Sequence, residues 1–383
     1  MWTHFYRSDL RIIAHYLGSL IVLLSYTMLV PLAVALVMQE WRPVGQYACG
    51  FGLALACGSL LRLAKISPGQ MERRQIIAIT GLVWVVGAFF AAVPLYFSGQ
   101  FVDFFDAFFE CVSGLTATGL SMARDIDHMA TADQMWRFTL QFLGGQGVIV
   151  IALSLGIFTR SGSALYNSEG RDEAVLPNIK KTAQFIWRFS ACVVITGSIV
   201  LMVILMLLGI NPLRSFFHGL WVTIGAYDTG GFSPQSLSII YYHSWPLEVI
   251  VMIFMCLGAL NFALLAQVHQ GNWRTIFSDI EIRTLGLWIM GMVLLFVAAL
   301  MAGNYLLDYS SLVRSGIFTI VSATTNTGYQ LLSTNQIATM LTSGAFFLVA
   351  ISMAIGGSAG STAGGIKALR VGLICKGITA RIK

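Results

Sequence analysis

Long apolar stretches constrain this chain more than any other feature of its sequence. A helix needs about 20 apolar residues to cross roughly 30 Å of hydrocarbon. Such stretches occur near 13–38, 45–64, 75–97, 136–158, 186–209, 245–268, 284–306 and 337–355. Of the 383 residues, 57% are hydrophobic and 10% are charged, whereas about a quarter of the residues in an ordinary globular domain are charged. The sequence therefore predicts an all-α integral membrane protein with about eight transmembrane helices.

The distribution of basic residues predicts the orientation in the membrane. Lysine and arginine in short loops stay on the cytoplasmic side. With a cytoplasmic N-terminus, most of the 23 basic residues fall in cytoplasmic segments, among them 62–74, 160–188 and the C-terminal stretch Lys367 to Lys383. The net charge of +6 then reflects topology and predicts no nucleic-acid partner. The six cysteines are scattered and are interpreted as small core residues, neither disulfides nor metal ligands.

A short pattern recurs three times on the predicted outer side of the membrane. It reads TATGLS at 116–121, DTGGFS at 228–233 and TNTGYQ at 325–330. Each copy follows an apolar segment too short to span, at 103–115, 213–226 and 312–323. Aligning the Thr-Gly pairs makes Gly119, Gly230 and Gly328 equivalent. The repeated unit is therefore a span, a re-entrant half-helix, a Thr-Gly turn and a second span.

Such a unit favours a path for cations. Non-helical backbone at membrane depth is tolerated only where protein buries it or where it lines a water-filled path. A half-helix entering from outside directs its negative C-terminal end inward, and rings of backbone carbonyls replace the hydration shell of an ion. An ordinary extracellular loop would explain one such turn, whereas three in register favour the ion path. The candidate ion-binding residues are Thr116, Ala117, Thr118, Gly119, Asp228, Thr229, Gly230, Asn326, Thr327 and Gly328.

Their side chains leave two interpretations open. The hydroxyls of Thr118, Thr229 and Thr327 either contact an ion or hydrogen-bond the turn itself. The carboxylate of Asp228 either concentrates cations at the mouth of the path or is a capping or solvated loop group. The candidate ligands are therefore the backbone carbonyls of these turns.

A run of small residues, GGSAGSTAGGIK at 356–367, interrupts the last hydrophobic region. It fails as a phosphate-binding loop because Ile366 separates Gly365 from the lysine and Ala368 replaces the hydroxyl that would bind magnesium. A flexible linker would be polar and would lie between domains. We therefore expect unwound backbone at membrane depth, lining a cavity.

Together these residues resemble the TrkH/KtrB family of bacterial potassium transport subunits. The resemblance covers essentially the whole chain and rests on the three repeated turns, on LGGQGVIVI at 143–151, on LGALNFALL at 257–265 and on GSAGSTAGGIK at 357–367. It implies potassium uptake by channel-like permeation through a carbonyl-lined filter, with K⁺ as the transported ion and no cofactor in this chain. It also implies a homodimer in the bacterial inner membrane, gated by a cytoplasmic nucleotide-binding subunit of the TrkA or KtrA type.

The resemblance also implies a domain layout of four pore units after an N-terminal two-span segment. Residues 1–70 resemble that segment, and 71–165, 178–272 and 280–383 resemble three pore units. We expect the fourth unit to be absent from this sequence, because the sequence is truncated or because another polypeptide supplies it. The resemblance places an intramembrane gate loop below the filter, at Gly356, Gly357, Ser358, Gly360, Ser361, Thr362, Gly364, Gly365 and Lys367.

Several isolated residues carry two interpretations each. Glu110, in the first half-helix, either serves the pore or is paired structurally. Tyr329 either braces the third turn or anchors at the membrane interface. His218 and His243 are interpreted as packing or loop residues, and Lys367 as a cytoplasmic anchor or a charge near the pore exit.

Two other functions stay open from the sequence. One is a secondary transporter that couples K⁺ to H⁺ or Na⁺, because broken helices occur in such folds as well. The other is a non-conducting fragment. The chain carries no catalytic motif with supporting context, so we do not expect an enzyme.

Overall fold

The computed structural model describes residues 6–66, 71–147, 150, 179–302 and 309–382. Across these ranges the chain is helical apart from loops and one pair of two-residue strands. The chain divides into two compact units, Met1–Ser190 and Ala191–Lys383. The predicted all-α membrane fold is confirmed.

The first unit begins with apolar helices that match the predicted spans. They are α1 (Arg7–Thr27), α2 (Leu29–Val37), α3 (Trp41–Arg62) and α4 (Arg73–Tyr96). Helices α1 and α3 approach closely because glycines face each other. A Cβ added to Gly18 would lie 2.6 Å from the carbonyl oxygen of Gly58. Small residues at such contacts are typical of helix packing in membranes.

The rest of the first unit contains the first predicted half-helix. Helix α5 (Phe104–Leu115) confirms it, and the Asp103 carboxylate caps it by accepting from the Asp106 N–H at 3.0 Å. Helix α6 (Thr131–Gln146) follows. The span predicted at 136–158 begins within α6, and most of its remainder lies outside the described residues, as do Arg160 and Arg171. Helix α7 (Ile179–Leu207) passes from the first unit into the second.

The second unit contains the other two half-helices. Its elements are α8 (Pro212–Tyr227), a 3₁₀ helix (Ser238–Tyr242), α9 (Trp245–Gly258), α10 (Phe262–His269), α11 (Arg274–Ser278), α12 (Ile280–Ala302), α13 (Tyr309–Thr324), α14 (Thr334–Met340), α15 (Ser343–Ala354), β1 (Ile355–Gly356), β2 (Ile366–Lys367) and α16 (Ala368–Ile382). Helices α8 and α13 confirm the half-helices predicted at 213–226 and 312–323.

The half-helices are too short to cross a membrane. Helix α5 has 12 residues and α8 and α13 have 16 each, which at 1.5 Å per residue gives about 18 and about 24 Å. By contrast, five helices in the described part of the chain are long and apolar enough to span, counting α1 with α2 as one. The bent pair α9 and α10 makes a sixth if it is one span.

One predicted continuous span is broken in the structure. The stretch at 245–268 forms α9 and α10, which meet at 102°. The break follows Gly258, and the Asn261 side chain starts α10 by accepting from the Ala263 N–H at 2.8 Å. Hydropathy does not register such a break because the residues on both sides are apolar.

The last predicted span is also divided. The stretch at 337–355 contains most of α14 and α15, with Thr342 as the N-cap of α15. The small-residue run then leaves the helix as β1, turns back and pairs in parallel as β2, with Ile355 opposite Ile366. The expected unwound backbone at 356–367 is confirmed.

Candidate functional site

Each half-helix ends in the same hydrogen-bonded turn. The first residue after the helix still bonds four residues back. Two residues further on, the N–H bonds the carbonyl five residues back, in the pairs Thr118 to Ser113 (2.8 Å), Gly230 to Gly225 (3.2 Å) and Thr327 to Ser322 (2.9 Å). The three turns are therefore one conformation repeated, with the negative end of a helix dipole at each.

The backbone of each turn is left-handed at two positions. The first has φ of 50° at Ala117, 49° at Thr229 and 58° at Asn326. The second has φ of 76° at Gly119, 71° at Gly231 and 83° at Gly328. Glycine adopts this region freely, whereas a β-branched residue there is an outlier. Thr229 is such an outlier.

The backbone pattern corrects the predicted alignment of the second turn. Gly231, and not Gly230, is equivalent to Gly119 and Gly328. Alignment on the Thr-Gly pair was wrong because the second motif has two consecutive glycines. The apolar residue that follows each left-handed glycine carries the correct signal, since Phe232 is the equivalent of Leu120 and of Tyr329. Gly231 is thus the candidate site residue that the sequence interpretation missed.

The second and third turns contact each other directly. A Cβ added to Gly231 would lie 1.9 Å from the carbonyl oxygen of Thr327. The hydroxyl of Tyr329, which is 2% exposed, lies 3.0 Å from the Phe232 carbonyl and 3.1 Å from that of Val222. With one proton, the hydroxyl donates to one of these carbonyls at a time. Tyr329 therefore braces the turns, and the interpretation as an interfacial anchor is wrong.

A glycine of the following helix packs on the last carbonyl of two half-helices. A Cβ at Gly144 would lie 1.9 Å from the carbonyl oxygen of Leu115, and one at Gly258 would lie 1.9 Å from that of Tyr227. These are the first glycines of the motifs LGGQG and LGALN. Their lack of a side chain lets each helix support the C-terminal end of its half-helix.

Glu110 is paired structurally in the first unit. Its carboxylate accepts from Arg137 Nε at 2.6 Å, from the Ser121 hydroxyl at 3.0 Å and from the Met122 N–H at 2.8 Å. The guanidinium also donates to Gln134 at 2.7 Å. Glu110 and Arg137 are each 1% exposed. This network ties the half-helix, the segment after the first turn and α6 together.

A second ion pair, with a buried carboxylate and a partly exposed guanidinium, holds the third half-helix in the second unit. The guanidinium of Arg314, on α13, donates through two nitrogens to the carboxylate of Glu248, on α9. Glu248 is 2% exposed. Paired donors and acceptors of this kind are among the strongest hydrogen bonds in proteins. Each residue stands alone in the sequence, so the pairing appears only in the fold.

Three further polar residues considered from the sequence, Asp228, His218 and His243, have structural surroundings in the second unit. The Asp228 side chain is fully buried, so the interpretation as a solvated loop group is wrong. His218 is 4% exposed and its Nδ1 lies 2.7 Å from the Tyr242 hydroxyl, as expected for a packing residue. His243 ends the 3₁₀ helix with φ of 44°. In the described part of the chain, no three His, Cys, Asp or Glu residues group as metal ligands.

The small-residue loop at 355–367 docks on the break between α9 and α10. The Ser358 N–H donates to the Ala259 carbonyl at 2.9 Å, and the Thr362 N–H donates to that of Gly258 at 3.2 Å. The Ala359 N–H donates to the carboxylate of Glu281 at 2.9 Å. The ammonium group of Lys367 donates to the Ala363 carbonyl, within the loop.

The same loop contacts the second and third turns. The Thr362 hydroxyl lies 3.1 Å from that of Thr229, and the Asn326 amide donates to the Met353 carbonyl at 3.1 Å. The second unit therefore brings together two candidate turns and the predicted gate loop. The first turn lies in the other unit.

Comparison with known proteins agrees with this architecture. Residues 46–383 match the family model described as "TrkH: Cation transport protein". The Trk system potassium uptake protein TrkH of Halomonas elongata is 30% identical, over 96% of this chain and 75% of its own length. The Trk system potassium uptake protein TrkG of Escherichia coli is 31% identical over the same shares.

A solved structure has the same fold. The crystal structure of the potassium transporter TrkH from Vibrio parahaemolyticus superposes with a TM-score of 0.81 at 25% identity, covering 97% of this chain and 75% of that one. The relatives are named as transport proteins. This confirms the prediction that the chain is not an enzyme. The chain belongs to the TrkH family of cation transport proteins.

Proposed function

We propose that this protein takes up potassium across a bacterial inner membrane by channel-like permeation. The observation that carries the proposal is the turn repeated at the ends of three half-helices, with left-handed backbone at two equivalent positions in each. The relatives named as Trk system potassium uptake proteins support K⁺ as the transported ion.

The ligands in this proposal are backbone carbonyls. The C-terminal end of a helix carries about half a negative charge, and the carbonyls of the turn lie at that end. Left-handed residues in alternation let successive carbonyls face a common point, as in potassium channel filters. The candidate carbonyls are those of 117–119 and 326–328, and the structural alignment moves those of the second turn from 228–230 to 229–231.

The loop at 355–367 is the proposed gate. Its hydrogen bonds run to the C-terminal end of α9 and to the second turn, and its glycines pack against Asn326 of the third turn. Glycine at 360 and 365 has φ of 68° and 72°, conformations that a bulky residue does not adopt readily. Replacing Gly360 by a bulky residue should therefore change conduction while leaving assembly intact.

The partners and topology follow from the family resemblance. We propose a homodimer with a cytoplasmic N-terminus and a nucleotide-binding TrkA- or KtrA-type subunit on the cytoplasmic face. The two-span segment at 1–70 and the pore units at 71–165, 178–272 and 280–383 complete the proposed layout. In this proposal K⁺ is the transported ion, and the protein is embedded in the lipid bilayer.

One observation favours the alternative of ion-coupled secondary transport. Helices α9 and α10 form a span broken at 102°, and broken spans provide the ion sites of many carriers. Reversal potentials separate the two functions. In a planar bilayer, an uncoupled conductance reverses at the K⁺ equilibrium potential and stays there when a pH or Na⁺ gradient is imposed.

The uptake of ⁸⁶Rb⁺ into bacteria that lack their own potassium uptake systems tests the proposal. The full-length protein should raise the initial rate of uptake and support growth at low external K⁺. Immunoblotting of the membrane fraction establishes that the protein is inserted. An inserted protein that leaves both the rate and the growth unchanged refutes the proposed function.

A further inference from the structure

We propose that two filter side chains, Thr229 and Asn326, couple the position of the loop at 355–367 to the conformation of the filter. Both occupy the first left-handed position of their turns, and both hydrogen-bond to the loop or to the helix residue that leads into it. The inference rests on the proposed function, because it names the residues through which filter and gate communicate.

The contact in the second turn runs through two hydroxyls. Thr229 donates to the Thr362 hydroxyl at 3.1 Å. The Thr362 hydroxyl in turn lies 2.9 Å from the Gly258 carbonyl and 3.2 Å from that of Tyr227, and donates to one of them at a time. These carbonyls end α9 and α8, where helix carbonyls have no partner within their own helix. One loop side chain thus joins the filter, its half-helix and the broken span.

The contact in the third turn runs through an amide. The Asn326 side chain donates to the Met353 carbonyl, in the last turn of α15 before the loop begins. It also fills the space between two loop glycines. A Cβ at Gly356 would lie 2.8 Å from its Oδ1, and one at Gly364 would lie 3.8 Å from its Cγ. Displacing the loop therefore removes the packing of Asn326, and a displacement that includes the last turn of α15 also breaks its hydrogen bond.

The first turn shows that the left-handed position does not itself require a polar side chain. Its equivalent residue is Ala117, with φ of 50°, and a methyl group forms no hydrogen bond. The polar residues stand at the two turns that contact the loop in the second unit. A threonine at position 229 strains the backbone, because β-branched residues rarely adopt the left-handed region. Such strain persists only where the surroundings compensate for it, and the hydroxyl contact with Thr362 does so.

Coupling of this kind acts in both directions. If the seated loop favours the left-handed turn, an ion that binds the turn favours the seated loop by the same factor. K⁺ should therefore slow the exposure of the loop, whereas an ion that does not bind the filter should have no effect. Removing the Thr229 hydroxyl should weaken this dependence on K⁺, because the Asn326 contact remains, and removing both side-chain contacts should abolish it.

Thiol labelling of the loop measures this effect. The full chain carries Ser361→Cys in a background whose six native cysteines are replaced, and it is held in lipid nanodiscs so that both faces are accessible. We expect K⁺ to slow labelling roughly fivefold or more relative to choline, the range of ordinary coupling between sites. In Thr229→Val the ratio of the two rates should fall below that of the parent, and in Thr229→Val combined with Asn326→Ala the rate should be the same in both salts. Thr362→Val should weaken the protection to the same extent as Thr229→Val, and Thr229→Val combined with Thr362→Val should change nothing further.

Thr223→Val is the matched control. It removes a buried hydroxyl from α8, the half-helix that precedes the second turn. Within the described residues, the Thr223 hydroxyl donates to the Gly219 carbonyl of α8 and makes no hydrogen bond to the loop. This variant should keep the protection by K⁺. If Thr229→Val and Thr362→Val both keep the protection, or if their effects simply add, the coupling is refuted. If the unmodified protein shows neither ⁸⁶Rb⁺ uptake nor protection, the proposed function is refuted together with this inference.

Discussion

Replacing Gly231 by alanine tests the structural alignment of the three turns most directly. An L-residue with a Cβ in the left-handed region costs about 1–2 kcal/mol, which lowers the ratio of native to non-native turn by a factor of about 5–30. The new Cβ would also lie 1.9 Å from the Thr327 carbonyl oxygen. Ordinary contact needs about 3.5 Å, so one turn must shift away from the other.

Gly328→Ala separates these two costs. Gly328 is also left-handed, with φ of 83°, but a Cβ there meets no described atom within 4 Å. We therefore expect Gly328→Ala to lower the initial rate of ⁸⁶Rb⁺ uptake, by at most a factor of about 5–30. Gly231→Ala should lower it further and should also reduce the selectivity for K⁺ over Na⁺.

The comparison includes Gly230→Ala, because alignment on the Thr-Gly pair makes Gly230 the critical residue. The described backbone at Gly230 has no positive φ, so this variant should be the mildest of the three. Size-exclusion chromatography shows whether each variant assembles normally. A larger loss of uptake in Gly230→Ala than in Gly231→Ala would refute the structural alignment, and equal losses in Gly231→Ala and Gly328→Ala would refute the contact between the turns.

Two further predictions concern the contacts around the turns. Arg137→Gln leaves the buried Glu110 carboxylate without its charged partner, so the protein should lose about 3–5 kcal/mol of stability. Thermal denaturation in detergent should show this as a lower Tm, and Arg137→Gln combined with Glu110→Gln should recover part of it; an unchanged Tm in Arg137→Gln would contradict the pairing. Tyr329→Phe removes the hydrogen bond from its hydroxyl to the Phe232 or Val222 carbonyl, worth about 1 kcal/mol. It should lower the K⁺ to Na⁺ uptake ratio with little change in Tm, and an unchanged ratio would rule out the bracing role.

The sequence predicted local features of the fold well because they depend on local physics. The half-helices at 103–115, 213–226 and 312–323 agree with the structure to within three residues at either end. The bounds of such short helices follow from the length and apolar composition of the segment itself. The unwound run at 356–367 was also predictable, since consecutive glycines do not favour a helix.

Features that depend on contacts between distant residues were not predictable in this way. The pairs Glu110 with Arg137 and Glu248 with Arg314 join residues 27 and 66 positions apart, and no spacing in the sequence links them. The alignment of the second turn failed at Gly231 because it used only the Thr-Gly pair, which points to Gly230. The backbone φ values and hydrogen bonds identify Gly231, and the large side chain that follows each left-handed glycine is the sequence signal that would have found it.

The break between α9 and α10 and the loop at 355–367 account for each other. In a continuous helix the carbonyls of Gly258 and Ala259 would accept from residues four positions ahead. They accept instead from the amides of Thr362 and Ser358 in the loop, while the Ala263 N–H that is released bonds the Asn261 side chain.

Buried backbone groups need partners, so neither feature is stable at membrane depth without the other. The amide groups of the loop donate to the last carbonyls of α9, which have no partner within their own helix. These carbonyls in turn satisfy loop amides that form no helical hydrogen bonds. A displacement of the loop must therefore expose the end of α9 to water or let the span rearrange. Movement of a gate at this place thus requires a change in the broken span as well.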